Sequence, residues 1–165
     1  MLSVVESGVK FDFKVKAYNY DDVDSMYEKN KFCGNSAVDF LAIDRKNIYF
    51  IEVKTAEYFN ATIQELSEKI CKIYKNFIDS IALVSLSDDN ILRPYHIRLK
   101  NTIPKIILFI TDKLPADILI IYYERIKKQI SKKLKKINGS IDFMLETEKN
   151  YNNKLYDVVK AVNDV

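Results

Sequence analysis

The sequence contains few cysteine, histidine, glycine and proline residues, and each shortage narrows the possible classes of protein. Its two cysteines, Cys33 and Cys71, have no partner at metal-ligand spacing, so free thiols in a reducing compartment are favoured over a zinc site or a redox pair. The single histidine, His96, cannot form a multi-histidine metal site, and no G-x-S-x-G serine accompanies it, so we expect a structural role. The chain has only 3 glycines and 3 prolines, its 165 residues fit one domain and no linker or low-complexity tract divides it, so a single domain is predicted over residues 1–165.

Long apolar runs are also absent. The longest purely apolar run, Ile118 to Tyr123, is far shorter than the roughly 20 residues that a membrane-spanning helix needs. The N-terminal sequence MLSVVESGVK has no basic start followed by an apolar stretch, so no signal peptide is predicted. We therefore expect a cytoplasmic protein that makes no membrane contact.

The charge of the chain is nearly balanced. Hydrophobic residues make up 48% and charged residues 30%, as in an ordinary folded protein, and the net charge of +3 is too small to indicate nucleic-acid binding. The stretch ERIKKQISKKLKKIN is rich in lysine, but its lysines fall opposite the apolar stripe of a predicted helix. A solvated helix face is favoured there over a surface that follows phosphates.

Hydrophobic periodicity predicts an α/β order of elements. Residues 9–18 alternate as a half-buried strand does, and two apolar runs, 36–43 and 48–55, are joined by four polar residues that are typical of a hairpin loop. A capping-box pattern from Thr62 to Glu65 opens an amphipathic helix over about 62–86. The later segments predict a strand over 105–111, a helix from Pro115 to Gly139, a strand in SIDFMLET and a short closing helix in NKLYDVVKAVND.

One segment stays ambiguous, and the others predict the architecture. The stretch ILRPYHIRLK has no clear period, and its Pro94 argues against a central strand. The order of the remaining elements predicts one mixed β-sheet with helices packed on both faces.

The predicted hairpin brings three ionisable side chains together. If the four-residue loop sets Ile43 opposite Ile48, Asp39 faces Glu52 on the same side of the sheet, with β-carbons about 5 Å apart. Lys54 points to that side as well, because it lies two residues beyond Glu52. The neighbouring pair Leu41 and Phe50 is apolar, and so is the opposite face, with Val38, Phe40, Tyr49, Ile51 and Val53.

These charges suit a divalent cation. Two carboxylates that are covered on both faces repel each other, and a divalent cation relieves the repulsion best. Mg²⁺ prefers a few carboxylate oxygens and leaves its other positions to water and phosphate, and the backbone carbonyl of Val53 is a further candidate ligand. Lys54 would place an ammonium group close to the attacking water and to the charge that grows on phosphorus.

The arrangement of Asp39, a turn, Glu52-Val53-Lys54, an amphipathic helix and another apolar strand resembles the PD-(D/E)XK nuclease superfamily. The similar part covers about residues 9–111, with an extension over 112–165, and Val38 stands where the motif has proline. The resemblance implies a restriction endonuclease-like fold, a mixed β-sheet flanked by helices on both faces. It further implies Asp39 and Glu52 as ligands of Mg²⁺ or Mn²⁺, and Lys54 as the catalytic lysine.

Further candidates follow from the same resemblance. Many members carry a glutamate on a helix before the first strand, and Glu6 is the candidate for it here. Lys69, Lys72 and Lys75 on the helix after the motif would face the phosphate backbone of DNA.

Several functions remain open at this point. The leading hypothesis is a metal-dependent endonuclease that hydrolyses phosphodiester bonds of DNA, and the chain would take its specificity from loops, a homodimer or a partner subunit. The alternative is a catalytically inactive nuclease-fold protein that serves as a nucleic-acid-binding or protein-interaction subunit of a defence or mobile-element system. A toxin- or effector-associated binding partner is a third option. The remaining alternative assigns no function to this motif: an unrelated α/β domain in which Glu52 and Lys54 simply reach solvent.

Overall fold

The computed structural model of the chain describes residues 1–22, 36–111, 116–147 and 158–163, which form a mixed α/β structure with two sheets. The larger sheet contains, in spatial order, β3 (Lys16–Asn19), β4 (Phe40–Ile43), β5 (Ile48–Thr55), β6 (Lys105–Thr111) and β7 (Asp142–Thr147). The smaller sheet contains β1 (Ser3–Glu6), β2 (Val9–Phe13) and β8 (Val159–Asn163). The described helices are α1 (Ile63–Leu86), α2 (Arg93–Asn101) and α3 (Ala116–Ile137), and none of them is long and apolar enough to cross a membrane.

The hairpin of β4 and β5 is formed in the predicted register. Ile43 pairs with Ile48, and Leu41 pairs with Phe50, in an antiparallel ladder. Asp44 organises the loop, since its Oδ1 accepts hydrogen bonds from the backbone nitrogens of Lys46 at 2.6 Å and Asn47 at 2.7 Å. β6 and β7 then continue the sheet in parallel.

The helices cover one face of the larger sheet. α1 begins with the predicted capping box, in which Thr62 and Glu65 exchange hydrogen bonds. The ambiguous stretch around Pro94 is α2, with the proline in its first turn. One core cluster joins the buried residues of all three helices to the sheet; from the helices it takes Leu66, Ile70, Ile73, Phe77, Val84, Tyr95, Ile126, Ile130 and Leu134.

The opposite face is covered by the smaller sheet. Phe11 on β2 packs against Phe40 and Phe109 of the larger sheet, with ring centroids 5.6 and 5.2 Å away. This second cluster contains residues of strands and their flanks and no helical residue among those described. The predicted single sheet with helices on both faces is therefore wrong for this part of the chain, although the prediction that both faces are covered is confirmed.

The strand predicted over residues 9–18 is divided between the two sheets. β2 ends at Phe13 and β3 begins at Lys16, and each pairs with different neighbours. The apolar and polar alternation continues through the crossing. Periodicity alone could not reveal the change of sheet.

The closing helix predicted near the C-terminus is also wrong over its described part. Residues 159–163 form β8, in which Val159 pairs with Phe13 and Asn163 pairs with Val9. Strand pairing with β2, distant in sequence, overrides the local helical pattern. The earlier part of that prediction, 153–157, lies outside the described residues, as do Cys33 and the predicted helix start at Pro115.

Two minor predictions concern single side chains. His96 Nδ1 lies 3.0 Å from the carbonyl oxygen of Val84 near the end of α1, an arrangement that suits a structural role. Cys71 is an exposed free thiol.

Phe11→Ala should destabilise the protein strongly, because Phe11 is fully buried between the two sheets. We expect the free energy of unfolding to fall by about 3–5 kcal/mol, measured by urea denaturation. Lys10→Ala is the matched control, since Lys10 is the exposed neighbour on the same strand. A loss below about 1 kcal/mol in Phe11→Ala would show that the smaller sheet does not cover the core.

Candidate functional site

The candidate site lies where β4 and β5 separate. The last pair of their ladder is Phe40 with Ile51, and Asp39 precedes the strand. The backbone carbonyl of Asp39 accepts a hydrogen bond from the Tyr20 nitrogen at 2.8 Å, while its carboxylate Oδ2 accepts one from the Val53 nitrogen at 2.6 Å. A carboxylate therefore takes the place of the next ladder bond and holds Asp39 beside Glu52.

Glu52 is the most constrained residue of the site. Its side chain is fully buried, and its Oε1 accepts hydrogen bonds from Lys54 Nζ at 2.6 Å and from Asn76 Nδ2 at 2.8 Å. Both donors meet on the same oxygen. The other oxygen, Oε2, is buried without a hydrogen-bond partner.

Burial controls the charge of the two carboxylates. Together with the negative charge of Asp39, it raises the pKa of Glu52 to about 8, against the opposing effects of Lys54 and Asn76. Burial likewise raises the pKa of Asp39, although Lys54 and the Val53 amide oppose the rise. Both acids therefore accept protons far more readily than exposed carboxylates do.

Lys54 carries the positive charge of the site. Burial lowers the pKa of its ammonium, but the nearby carboxylates of Glu52 and Asp39 outweigh this effect, so the net pKa is raised. The ammonium also donates a hydrogen bond to the carbonyl oxygen of Val53 at 2.9 Å and lies 5.9 Å from the ring centre of Tyr58. Lys54 therefore stays charged and is held by several groups at once.

The residues fit a divalent cation in one specific respect. A buried carboxylate oxygen without a donor, Glu52 Oε2, is an available hard ligand, and Asp39 supplies a second carboxylate beside it. The carbonyl oxygen of Val53, also predicted as a ligand, accepts a hydrogen bond from the Lys54 ammonium group. Within the described residues no group of three or more acidic, histidine or cysteine side chains is gathered as a metal cluster.

Glu6 lies near the candidate site, but on a different type of element from the one predicted. It lies at the end of strand β1 and not on a helix, so that part of the expectation is wrong. It is nevertheless close enough to Asp39 for its charge to raise the pKa of that carboxyl, and Asp21 acts in the same direction. Ser7 and Gly8, both with positive φ, form the turn that joins β1 to β2 directly after Glu6.

Asn76 is a site residue that the sequence reasoning missed. Its side chain is 7% exposed and lies on the inner face of α1, where most neighbours are apolar. Ser80, one turn later, is fully buried and accepts a hydrogen bond from the Val38 nitrogen at 2.9 Å. Two polar residues four positions apart on the buried face of an amphipathic helix were the available signal.

Val38 consequently lies on the side of the larger sheet that the helices cover. It belongs to the same core cluster as the helices, so its predicted placement on the opposite face is wrong. The strict alternation of a strand ends where β4 begins, at Phe40, and Val38 precedes that strand.

The three lysines predicted to face phosphates differ in their surroundings. Lys69 lies 5.2 Å from the ring centre of Tyr58, the same ring that Lys54 approaches. Lys72 is exposed, whereas Lys75 is paired with Asp79 one turn later. Lys69 is thus the member that contacts a neighbour of the candidate site.

Comparison of the chain with models of protein families, with curated proteins and with solved structures finds no match in any of the three.

The stability of the metal-free protein should decrease as the pH rises from mildly acidic to mildly alkaline values. The folded protein keeps Glu52 protonated up to its raised pKa of about 8, whereas the unfolded chain releases that proton near 4.5. Between these values the folded state binds more protons, so the free energy of unfolding falls with rising pH. We expect a lower urea midpoint at about pH 8 than at about pH 5 in the presence of EDTA.

Glu52→Gln, which cannot ionise at this position, should weaken this dependence, and the remainder should come from Asp39, whose pKa is also raised. Lys54 does not interfere, because it stays protonated throughout the range. Wild-type protein that gains stability between the two pH values would show that Glu52 is ionised in the fold.

Proposed function

We propose that the protein is a nuclease that hydrolyses phosphodiester bonds of DNA and depends on Mg²⁺ or Mn²⁺. The observation that carries the proposal is the buried Glu52 carboxylate, whose Oε2 has no donor while Asp39 and Lys54 lie beside it. A buried acid of this kind is costly unless a ligand or a proton relieves it. Strongly perturbed carboxylates beside a cation are more common at functional sites than elsewhere.

Each residue has a defined task in this proposal. Asp39 and Glu52 would hold the divalent cation, which when bound supplies Lewis-acid polarisation of a phosphate oxygen and of water. Lys54 orients the attacking water and stabilises the negative charge that grows on the phosphate. Hydrolysis forms a bond from the water oxygen to phosphorus and breaks one phosphorus–oxygen bond, and the water proton ends on the leaving oxygen.

The substrate class rests on the charges near the site. Lys69 and Lys72 lie on α1, the helix that also supplies Asn76 to Glu52. Ammonium groups in such a place can pair with the phosphates that flank a scissile bond. The choice of DNA over RNA rests on the resemblance to PD-(D/E)XK nucleases.

A second candidate function has its own support. Lys54 and Glu52 form a close ion pair of 2.6 Å, and the described residues gather no third acidic side chain as a metal cluster. These features also suit an inactive relative of nucleases that binds nucleic acid or a protein subunit without cutting.

Glu52→Ala and Lys54→Ala should abolish cleavage. Plasmid and single-stranded DNA are incubated with wild type and variants in Mg²⁺ or Mn²⁺, and the products are separated by electrophoresis. We expect the cleavage rate to fall by at least about 100-fold in each variant, because each loses a group that acts on the reacting phosphate. Lys10→Ala, at an exposed position of the smaller sheet, serves as the control for preparation-dependent contamination.

Two results would contradict the assignment. Cleavage that persists unchanged in both variants would come from another site or another protein. Metal-independent binding of DNA by wild type without any cleavage would favour the inactive relative.

Lys69→Gln should weaken DNA binding more than Lys75→Gln. Lys69 lies beside the ring that Lys54 approaches, whereas Lys75 is already paired with Asp79. In fluorescence-anisotropy titrations over a range of salt, we expect the salt dependence of the affinity to fall by about one unit of slope in Lys69→Gln. Equal effects of the two substitutions on the salt dependence would show that Lys69 has no particular part in binding phosphate.

A further inference from the structure

Asn76 is a buried polar residue whose side chain makes one hydrogen bond, to Glu52. Its Nδ2 donates to Glu52 Oε1 at 2.8 Å, and its own Oδ1 has no hydrogen-bond partner. The side chain is 7% exposed and lies on the buried face of α1, where Ser80 is the other buried polar residue and the remaining buried residues are apolar. Burying an amide costs free energy unless both of its polar atoms form hydrogen bonds. In Asn76 only Nδ2 does so, and the unpaired Oδ1 is therefore destabilising.

The contact determines which oxygen of Glu52 remains available. Lys54 and Asn76 approach from a strand and from a helix, yet both donate to Oε1. Because Oε1 receives both donors, the carboxylate cannot rotate without breaking a charge-assisted hydrogen bond on each side. Oε2 is left buried and bare as a consequence.

Two buried acceptors therefore lack donors in the same contact. Glu52 Oε2 suits direct coordination of a hard cation, and Asn76 Oδ1 suits a hydrogen from a water of the cation, since Mg²⁺ usually keeps several waters. A dry structural ion pair would leave both atoms unsatisfied.

We propose that Asn76 is a positioning residue that fixes the Glu52 carboxylate so that Oε2 faces a divalent cation. The inference rests on the proposed function, because it assumes that Asp39 and Glu52 bind that cation. Hydrogen-bond partners of a ligating carboxylate orient it and typically change metal affinity by about 10–100-fold when they are removed. No step of the reaction is assigned to Asn76 itself.

The experiment measures binding of Mn²⁺ alone, by electron paramagnetic resonance of the free ion, at a temperature where circular dichroism shows each variant folded. Asn76→Leu keeps the number and branching of the side-chain heavy atoms and removes both polar atoms, and the side chain in Asn76→Ser is too short to reach Glu52. We expect Mn²⁺ affinity to fall by about 10–100-fold in both variants and to recover in part in Asn76→Gln, which restores the amide. Asn76→Ser keeps the test available should leucine prevent folding.

Tyr49→Phe is the matched structural control. It removes a hydrogen bond of 2.6 Å to Asp44 at the opposite end of β5 and should leave Mn²⁺ affinity unchanged. Wild-type affinity in Asn76→Leu and Asn76→Ser, together with loss of binding in Glu52→Gln, would overturn the role of Asn76 and leave the proposed function standing. Wild-type protein that binds Mn²⁺ no better than Glu52→Gln would overturn both.

Discussion

The buried carboxylate of Glu52 is the constraint on which the arrangement of the site depends. A carboxylate at the centre of a covered sheet is unfavourable unless charge and hydrogen bonds compensate for lost water. Lys54 supplies the charge from two residues along the same strand, and Asn76 supplies the amide from the helix that covers the sheet. The compensation is incomplete, because Oε2 stays without a donor, and the proposed metal site depends on this free oxygen.

The site lies where two strands of the larger sheet separate. β4 and β5 pair only as far as Phe40 and Ile51, and beyond that pair the chain of β4 turns toward the helices. Ser80 holds Val38 there, and Asp39 bonds the Val53 amide that the ladder has released. Because the strands separate here, the Val53 amide bonds a side chain, the Asp39 carboxylate. In a continuous ladder such an amide would bond a backbone carbonyl of the neighbouring strand.

Much of the site could be predicted because the hairpin is local. A short polar loop fixes the register, and the register fixes which side chains share a face, so Glu52 and Lys54 follow from counting residues. Asn76 could not be found in this way, because its partner lies on a different element and only packing sets the rotation of α1 against the sheet. Glu6 was sought on a helix and lies on a strand, since the N-terminal residues pair with β2 and not with themselves.

The sequence by itself determined the hairpin, its register, the capped start of α1 and the acidic and basic residues of the candidate site, because each of these depends on neighbours within a few positions. The tertiary structure alone decided that residues 9–18 divide between two sheets and that 159–163 form a strand against β2. It also decided that the smaller sheet covers the second face of the larger one. Pairing between distant segments governs these features, and a pattern of alternating apolar residues is the same whichever sheet receives it.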